Sequence, residues 1–345
     1  MASKTWPRLI PSLSCAAALL AFQLPASQPA YAKVWKIALS NSYIGNEWRV
    51  EMINMLQAYV RDHYKGKVDL IVNSSGPDVQ KQIAAIDDMI SQKVDAILIN
   101  PVSATALNSV IAEATKQGIV VVDFDQNVTS SAPYKVTADF TAMGEAHAQF
   151  IADALGGKGN VIVNRGVAGF EADSNMYKGN MNVFKKYPNI HVVAEVYGKW
   201  DDGVSQAELT KALTAHPDVQ GIINQAGEYG ALQALINLKH PLNVAMTGEG
   251  SNGWRIAMLK YKDQGLKGLS LGEPPMSSAL ALKVAVEALE GKNPPKDLRV
   301  PLPNVTTSDL KPGVNVFPDE PPTVFADIEI PGSGILLTIK DAQGK

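Results

Sequence analysis

Asn46, Trp48 and Arg49 stand together in the stretch IALSNSYIGNEWRVEM, where an apolar run gives way to a helical pattern. A connector there needs only Gly and Ser, yet this one carries an amide, an indole and a guanidinium. Comparable side chains follow other apolar runs: Asn100, then Asp125 and Gln126, Trp200 and Asp201, Gln225, Glu249 and Glu273. Carboxylates, amides and a guanidinium hydrogen-bond to hydroxyl groups, and the charged ones do so more strongly. The indoles of Trp48 and Trp200 add flat apolar faces. Hydroxyls around an edge and C–H groups on the faces suit that combination, as in a sugar or polyol. Taken singly, each residue is better read as a helix cap or turn former; it is their joint occurrence after apolar runs that points to a binding site.

The elements that must position them follow from the hydrophobic pattern. Apolar runs of strand length at 35–40, 68–73, 94–100, 119–125, 160–164, 191–197, 220–224, 244–247 and 266–271 alternate with helix-length amphipathic runs at 49–63, 79–92, 104–117, 142–155, 176–187, 205–216, 227–238, 253–261 and 276–291. Such alternation predicts βαβ units and parallel sheets, an α/β fold. In open parallel sheets ligands sit beyond the carboxyl ends of the strands, where βα loops and helix N-termini converge. That is where the polar residues above fall. Ile83, Ile86 and Ile90, and next Ala106, Val110 and Ala114, recur at the spacing of a core-facing stripe. Near 137–143 an extended run ends and a fresh strand and helix series begins, which reads as a crossing between domains. After Gly291 the chain holds eight prolines between Pro294 and Pro322 and loses helical period, so it reads as a surface-hugging tail with short strands at 323–330 and 334–339.

Composition narrows the class. The 345 residues are 46% hydrophobic and 19% charged, ordinary for a globular chain long enough for two domains. Lys4 and Arg8, the mostly apolar run 9–24 and Ala30-Tyr31-Ala32 match the three regions of a secretory signal, so the mature chain is expected to begin at Lys33, in the periplasm. Pro11, Ser12 and Ser14 interrupt the run and argue against a retained membrane span. Cys15 is the only cysteine, and it precedes most of the apolar run rather than ending it, as a lipidated cysteine would. Cleavage would leave no thiol for disulfides, metal sites or nucleophilic catalysis. Without Lys4 and Arg8 the formal balance moves from −3 to about −5, against a general affinity for nucleic acid or anionic membrane.

Two motifs suggest other chemistry. Gly248-Glu249-Gly250-Ser251-Asn252-Gly253 has the glycine spacing of a dinucleotide-binding turn, but Glu249 would put negative charge where a pyrophosphate sits, and the motif follows the eighth apolar run rather than the first. His63, His147, His191, His216 and His240 form no tight ligand pair, and no G-x-S-x-G elbow is present. His63, His147 and His216 read as surface or capping residues. No catalytic residue, metal or cofactor is expected.

The segments IALSNSYIGNEWR, VDAILINPVSATAL, IVVVDFDQN, LTAHPDVQGIINQ and VAMTGEGS, in this order, resemble the periplasmic sugar-binding proteins of ABC transporters, ribose-binding type, from Val34 to about Asn293. The resemblance implies two doubly wound parallel-sheet lobes joined by a three-strand hinge and closing over one ligand. The N-terminal lobe would comprise 33–138 with 273–304, and the C-terminal lobe 139–272 with 305–345. The family's Asn-x-aromatic-aromatic falls on Asn46, Glu47, Trp48 and Arg49, with Arg in place of the second aromatic. Its Asp-Arg becomes Asp125-Gln126, its hinge-side aromatic Trp200, its Asn Gln225 or Ala226, its Asp before a glycine Glu249, and its late Gln falls at Gly272 or Glu273. Its helix arginine becomes Met176. The expected ligand is therefore a neutral monosaccharide or polyol, held by Asn46, Trp48, Arg49, Asp125, Gln126, Trp200, Gln225, Glu249 and Glu273. An amino or other cationic solute is the runner-up. The expected partners are a membrane permease and a chemoreceptor reading the closed form, with the chain itself a monomer. A repressor core of the same plan would need a DNA-binding segment ahead of Val34.

Overall fold

The computed structural model describes residues 1–5, 33–42 and 44–345, and most of the expected export signal lies outside the described residues. The chain separates into two units at Lys33, and the second, Val34–Lys345, carries the fold. Its first sheet contains β1 (Trp35–Asn41), β2 (Val68–Ser74), β3 (Ala96–Asn100), β4 (Val120–Phe124) and β5 (Tyr134–Thr137). Its second contains β6 (Lys158–Arg165), β7 (Asn189–Tyr197), β8 (Gly221–Asn224), β9 (Ala245–Gly248) and β10 (Lys267–Leu271). A late strand joins each: β11 (Asp297–Arg299) runs parallel beside β5, and β12 (Asn304–Thr306) antiparallel beside β10. The strand orders are β11-β5-β4-β3-β1-β2 and β12-β10-β9-β8-β6-β7.

The helices between the strands are α1 (Glu47–His63), α2 (Val79–Ser91), α3 (Asn108–Lys116), α4 (Phe140–Ala154), α5 (Glu171–Phe184), α6 (Asp202–Ala215), α7 (Glu228–Asn237), α8 (Asn252–Tyr261) and α9 (Ser277–Leu289). They cover both faces of each sheet, which is why strands such as β3, AILIN, are buried at every position. In β1, Ile37 and Leu39 enter one layer and Ala38 the other; in β8, Ile222 and Ile223 divide the same way. Of the expected stripe, Ile86, Ile90, Val110 and Ala114 are buried and Ile83 packs against them, but Ala106 is exposed. Ser103 accepts the Ala106 N–H in a turn, so α3 starts only at Asn108 and Leu107 takes the core place. His216 does cap α6, whereas His147 is fully buried rather than at the surface.

The main chain passes from one lobe to the other between β5 and α4, between β10 and α9, and between β11 and β12. The tail departs from expectation. Leu310 still packs on the C-terminal lobe, but Val324, Phe325, Ile330, Ile335, Leu337, Ile339 and Ala342 join the apolar cluster of β1, α1 and α9 in the N-terminal lobe. The reason is apolar complementarity, since α1 turns Met52, Met55 and Tyr59 to that side. After β11, β12 and a 3-10 turn at Thr307–Asp309, the tail's regular structure is a two-residue pair inside the expected windows, β13 (Glu329–Ile330) with β14 (Ile335–Leu336), and a short helix that was not expected, α10 (Ile339–Ala342).

Candidate functional site

A cleft of about 350 Å³ opens between the lobes, at the carboxyl ends of both sheets. From the N-terminal lobe it is lined by Asn46, Trp48, Arg49, Asp125 and Gln126, and from the C-terminal lobe by Phe140, Met176, Trp200, Glu228 and Glu249. Glu273, in the second crossing, and Thr323 and Phe325, in the tail, complete the wall. The volume lies at the small end of the range for small-molecule sites.

Asn46 caps α1, its side-chain oxygen accepting the Arg49 N–H at 3.1 Å, so the local and the site reading both hold for one residue. The cap starts the helix where Trp48 and Arg49 turn toward the cleft. The Trp48 indole N–H donates to the Glu273 carbonyl at 2.8 Å, tying α1 to the crossing segment. Arg49 pairs with Asp125 at 2.9 Å, both largely buried, and Asn100 at the end of β3 donates to the same Asp125 oxygen at 3.0 Å. Asn100 is thus a positioning residue for the acid.

Backbone strain concentrates here. Asp125 has φ 63°, and Lys199 and Trp200 have φ 57° and 59°, a left-handed region that non-glycine residues enter at a cost of order 1 kcal/mol or more. Asp201, capping α6 through its bond from the Val204 N–H at 2.7 Å, fixes the turn that presents Trp200. The indole packs against Gly166, where a Cβ would come within 2.2 Å of the ring, and Phe170 stands at 81° to it with ring centroids 5.4 Å apart.

Gln225 does not line the cleft. It is fully buried inside the C-terminal lobe, accepting from the Gly166 N–H at 2.9 Å and donating to the Asp173 carbonyl at 3.0 Å. One residue past β8 its side chain points into the lobe, and three residues later Glu228, in the first turn of α7, points out. Glu228 was absent from the sequence expectation although the strand-end rule reaches it. Met176, in the place of the family's arginine, gives an apolar surface.

The acids set the electrostatics. Burial pushes the Glu228 carboxyl up to about 7, helped by the Asp202 charge and opposed by the bond from the Ser251 hydroxyl. The Glu249 carboxyl is raised by loss of hydration and then by repulsion from Glu228, Asp125, Glu273 and Asp327; the residue is half-buried at the cleft. Glu273 is raised by burial and by Asp125, while the Ala138 N–H at 3.2 Å and Arg49 pull the other way. Groups raised in this way hold a proton more tightly than an exposed carboxyl, and a protonated carboxyl donates a hydrogen bond as well as accepting one. Across the mouth, the Asn127 N–H of one lobe donates to Glu171 of the other at 3.2 Å.

The glycine motif is occupied by the protein itself. A Cβ on Gly248 would meet Glu228 at 2.4 Å and one on Gly250 would meet Asp327 at 1.8 Å, so these glycines make room for side chains rather than for a pyrophosphate. Among the described residues no cluster of three His, Cys, Asp or Glu is placed to hold a metal ion, and no helix is long and apolar enough to cross a membrane.

Residues 37–293 match the profile of the periplasmic binding protein domain. The chain belongs to that family. It is 29% identical to the xylitol-binding protein of Mycolicibacterium smegmatis, over 70% of each chain, and 28% identical to the ribose import binding protein of Bacillus subtilis, over 78% of this chain and 87% of that one. An ABC transporter solute-binding protein from Thermobispora bispora superposes with a TM-score of 0.69 at 32% identity, covering 78% of this chain and 84% of the other. One from Mycobacterium smegmatis with bound glycerol gives 0.71 at 25% identity, covering 80% and 95%. As in these periplasmic binding proteins, two α/β lobes here flank one cleft.

Proposed function

We propose that this periplasmic binding protein captures a neutral monosaccharide or polyol in the interlobe cleft and delivers it to the membrane permease of an ABC importer. The observation that carries the reading is the pairing of Arg49 with Asp125 in a cleft that also holds Glu228, Glu249 and Glu273. Among the described lining residues Arg49 is the single cation, and its charge is met by Asp125. An anionic ligand would meet no unmatched cation among these residues to offset the cost of its desolvation, and would hold the acids' pKa values higher still. A polyhydroxylated ligand instead exchanges hydrogen bonds with acids that both donate and accept, while Trp48 and Trp200 cover it from opposite lobes. The relatives named for xylitol and ribose support the ligand class.

Capture is a hinge closure driven by contacts that only the closed form makes. The same closed form is what a permease, and a chemoreceptor, would read. The protein acts as a monomer in the periplasm after cleavage behind Ala32, and releases its ligand unchanged. A second reading is an amino or other cationic solute, whose charge would draw the protons off Glu228, Glu249 and Glu273.

A thermal-shift screen tests the class, because a ligand bound only by the folded state raises the melting temperature. Neutral sugars or polyols are expected to do so, and Trp48→Ala and Trp200→Ala to abolish the shift. Stabilisation by uronic or aldonic acids alone would overturn the charge argument, and by amino compounds alone would favour the second reading.

A further inference from the structure

The groove made by Gly248, Gly250 and Gly253 is filled by the tail. Besides Asp327 over Gly250, Pro322 stands over Gly253, where a Cβ would come within 2.9 Å of it. The tail runs along the motif as an added edge. The Asn252 N–H donates to the Val324 carbonyl at 2.7 Å, the Gly253 N–H to the Pro322 carbonyl at 2.8 Å, and the Ala326 N–H to the Gly250 carbonyl at 2.8 Å. The Asn252 side chain donates to the Phe317 carbonyl and accepts its N–H, at 2.8 and 2.9 Å. Arg255, 1% exposed, pairs with Asp327 and donates to Ser270 at 2.9 Å and to the Asn315 carbonyl at 3.0 Å.

Successive groups of an extended segment point to opposite sides. Between Val324 and Ala326, both bonded to the C-terminal lobe, the Phe325 N–H faces the other way and meets the two oxygens of Glu51 in α1 at 3.1 and 3.0 Å. From there the chain enters the core of the N-terminal lobe. This is a fourth passage between the lobes, and at it Pro322, Thr323 and Phe325 reach the cleft. Phe325 is buried; Thr323 is exposed at the lining and brings a hydroxyl.

We propose that residues 322–325 form a wall of the ligand site anchored to both lobes, and that Thr323 selects among solutes by their size and hydroxyl placement. This rests on the cleft being a solute site. The wall is bonded to the motif of one lobe and to α1 of the other, so its position is set by how far the lobes close. A ligand that fills the cleft in the closed form must fit against Thr323.

Two measurements on the full chain test it separately from the ligand class. Calorimetric titration of the parent, Thr323→Val and Thr323→Trp against four- to six-carbon polyols, pentoses and hexoses reads selection. Thr323→Val is expected to weaken the preferred ligand by roughly threefold to tenfold, the worth of one neutral hydrogen bond. Thr323→Trp is expected to penalise six-carbon ligands at least tenfold more than four-carbon ones. Unchanged affinities and ranking in both variants would overturn the proposal. If the parent binds only another solute class, the preceding reading fails and the same variants are titrated with that solute. Hydrogen exchange needs no ligand: the amides of Asn252, Gly253, Phe325 and Ala326 should exchange far more slowly than an unfolded chain, and unprotected amides there would remove the wall whatever the cleft binds.

Discussion

Replacing Glu51 by Gln should abolish a loss of stability that the parent shows as pH rises through neutrality. Glu51 is 4% exposed, and its carboxyl receives the Phe325 N–H that joins the tail to α1. Burial pushes it from 4.5 up to about 9; the Phe325 bond opposes the rise and the Glu47 charge adds to it. An acid raised in the folded state keeps its proton there while the unfolded chain has released it. Its contribution is therefore fully present below about 4.5 and is lost progressively until the pH reaches about 9. The slope is at most about 1.4 kcal/mol per pH unit, so between about pH 6 and about pH 8 the parent should lose roughly 2 to 3 kcal/mol. Glutamine has the shape of the protonated acid, still accepts the Phe325 N–H and does not titrate. Glu228, Glu249, Glu273 and His147 titrate in both proteins, so the difference between the two isolates position 51. Urea unfolding followed by tryptophan fluorescence, at several pH values across that window, reads it. The two curves should converge toward pH 5 and separate above it. Parallel curves would refute the assignment of a buried, protonated Glu51. As a control, Glu51→Ala strands the Phe325 N–H and should lie about 1 to 3 kcal/mol below Glu51→Gln at every pH.

Two further outcomes follow from the site. Arg49→Ala leaves Asp125 with Asn100 but without its cation, and Asp125→Ala removes the acid; each should weaken ligand binding by roughly tenfold to a hundredfold in titration, and normal binding by both would move the pocket elsewhere. His147 is buried with one ring nitrogen on the Leu271 carbonyl at 2.9 Å and the other on the Thr247 hydroxyl at 3.0 Å, and burial pushes it from 6.5 down to about 4. Its contribution is present above about 6.5 and lost as the pH falls toward 4, so His147→Gln should flatten the stability curve in that window; an unchanged acid limb would contradict a neutral imidazole.

What the sequence showed and what it hid divide along a physical line. Strands such as β3 were legible because a strand buried on both faces must be apolar throughout, and the polar residue that ends it is then conspicuous. Asn46, Trp48, Arg49, Asp125, Gln126, Trp200, Glu249 and Glu273 all stand at such ends and all line the cleft. Gln225 stands at one too, but strand-end position fixes only the neighbourhood of a side chain. Its direction depends on the turn that follows, and the left-handed Gly227 turns Glu228 outward instead. The tail showed its two short strands but not its place, because it owns little regular structure: the Phe325 N–H finds its acceptor 274 residues away. A segment shaped by a groove that other elements have already built carries no period of its own. The glycine motif, set aside in the sequence because of the Glu249 charge, finds its explanation in the same place. Read locally, its spacing strips side chains from a turn as a nucleotide would require; read in the fold, the same stripping admits Glu228, Asp327 and Pro322. The tail and the motif are two sides of one interface, which is why the role of neither was intelligible from its own stretch of chain.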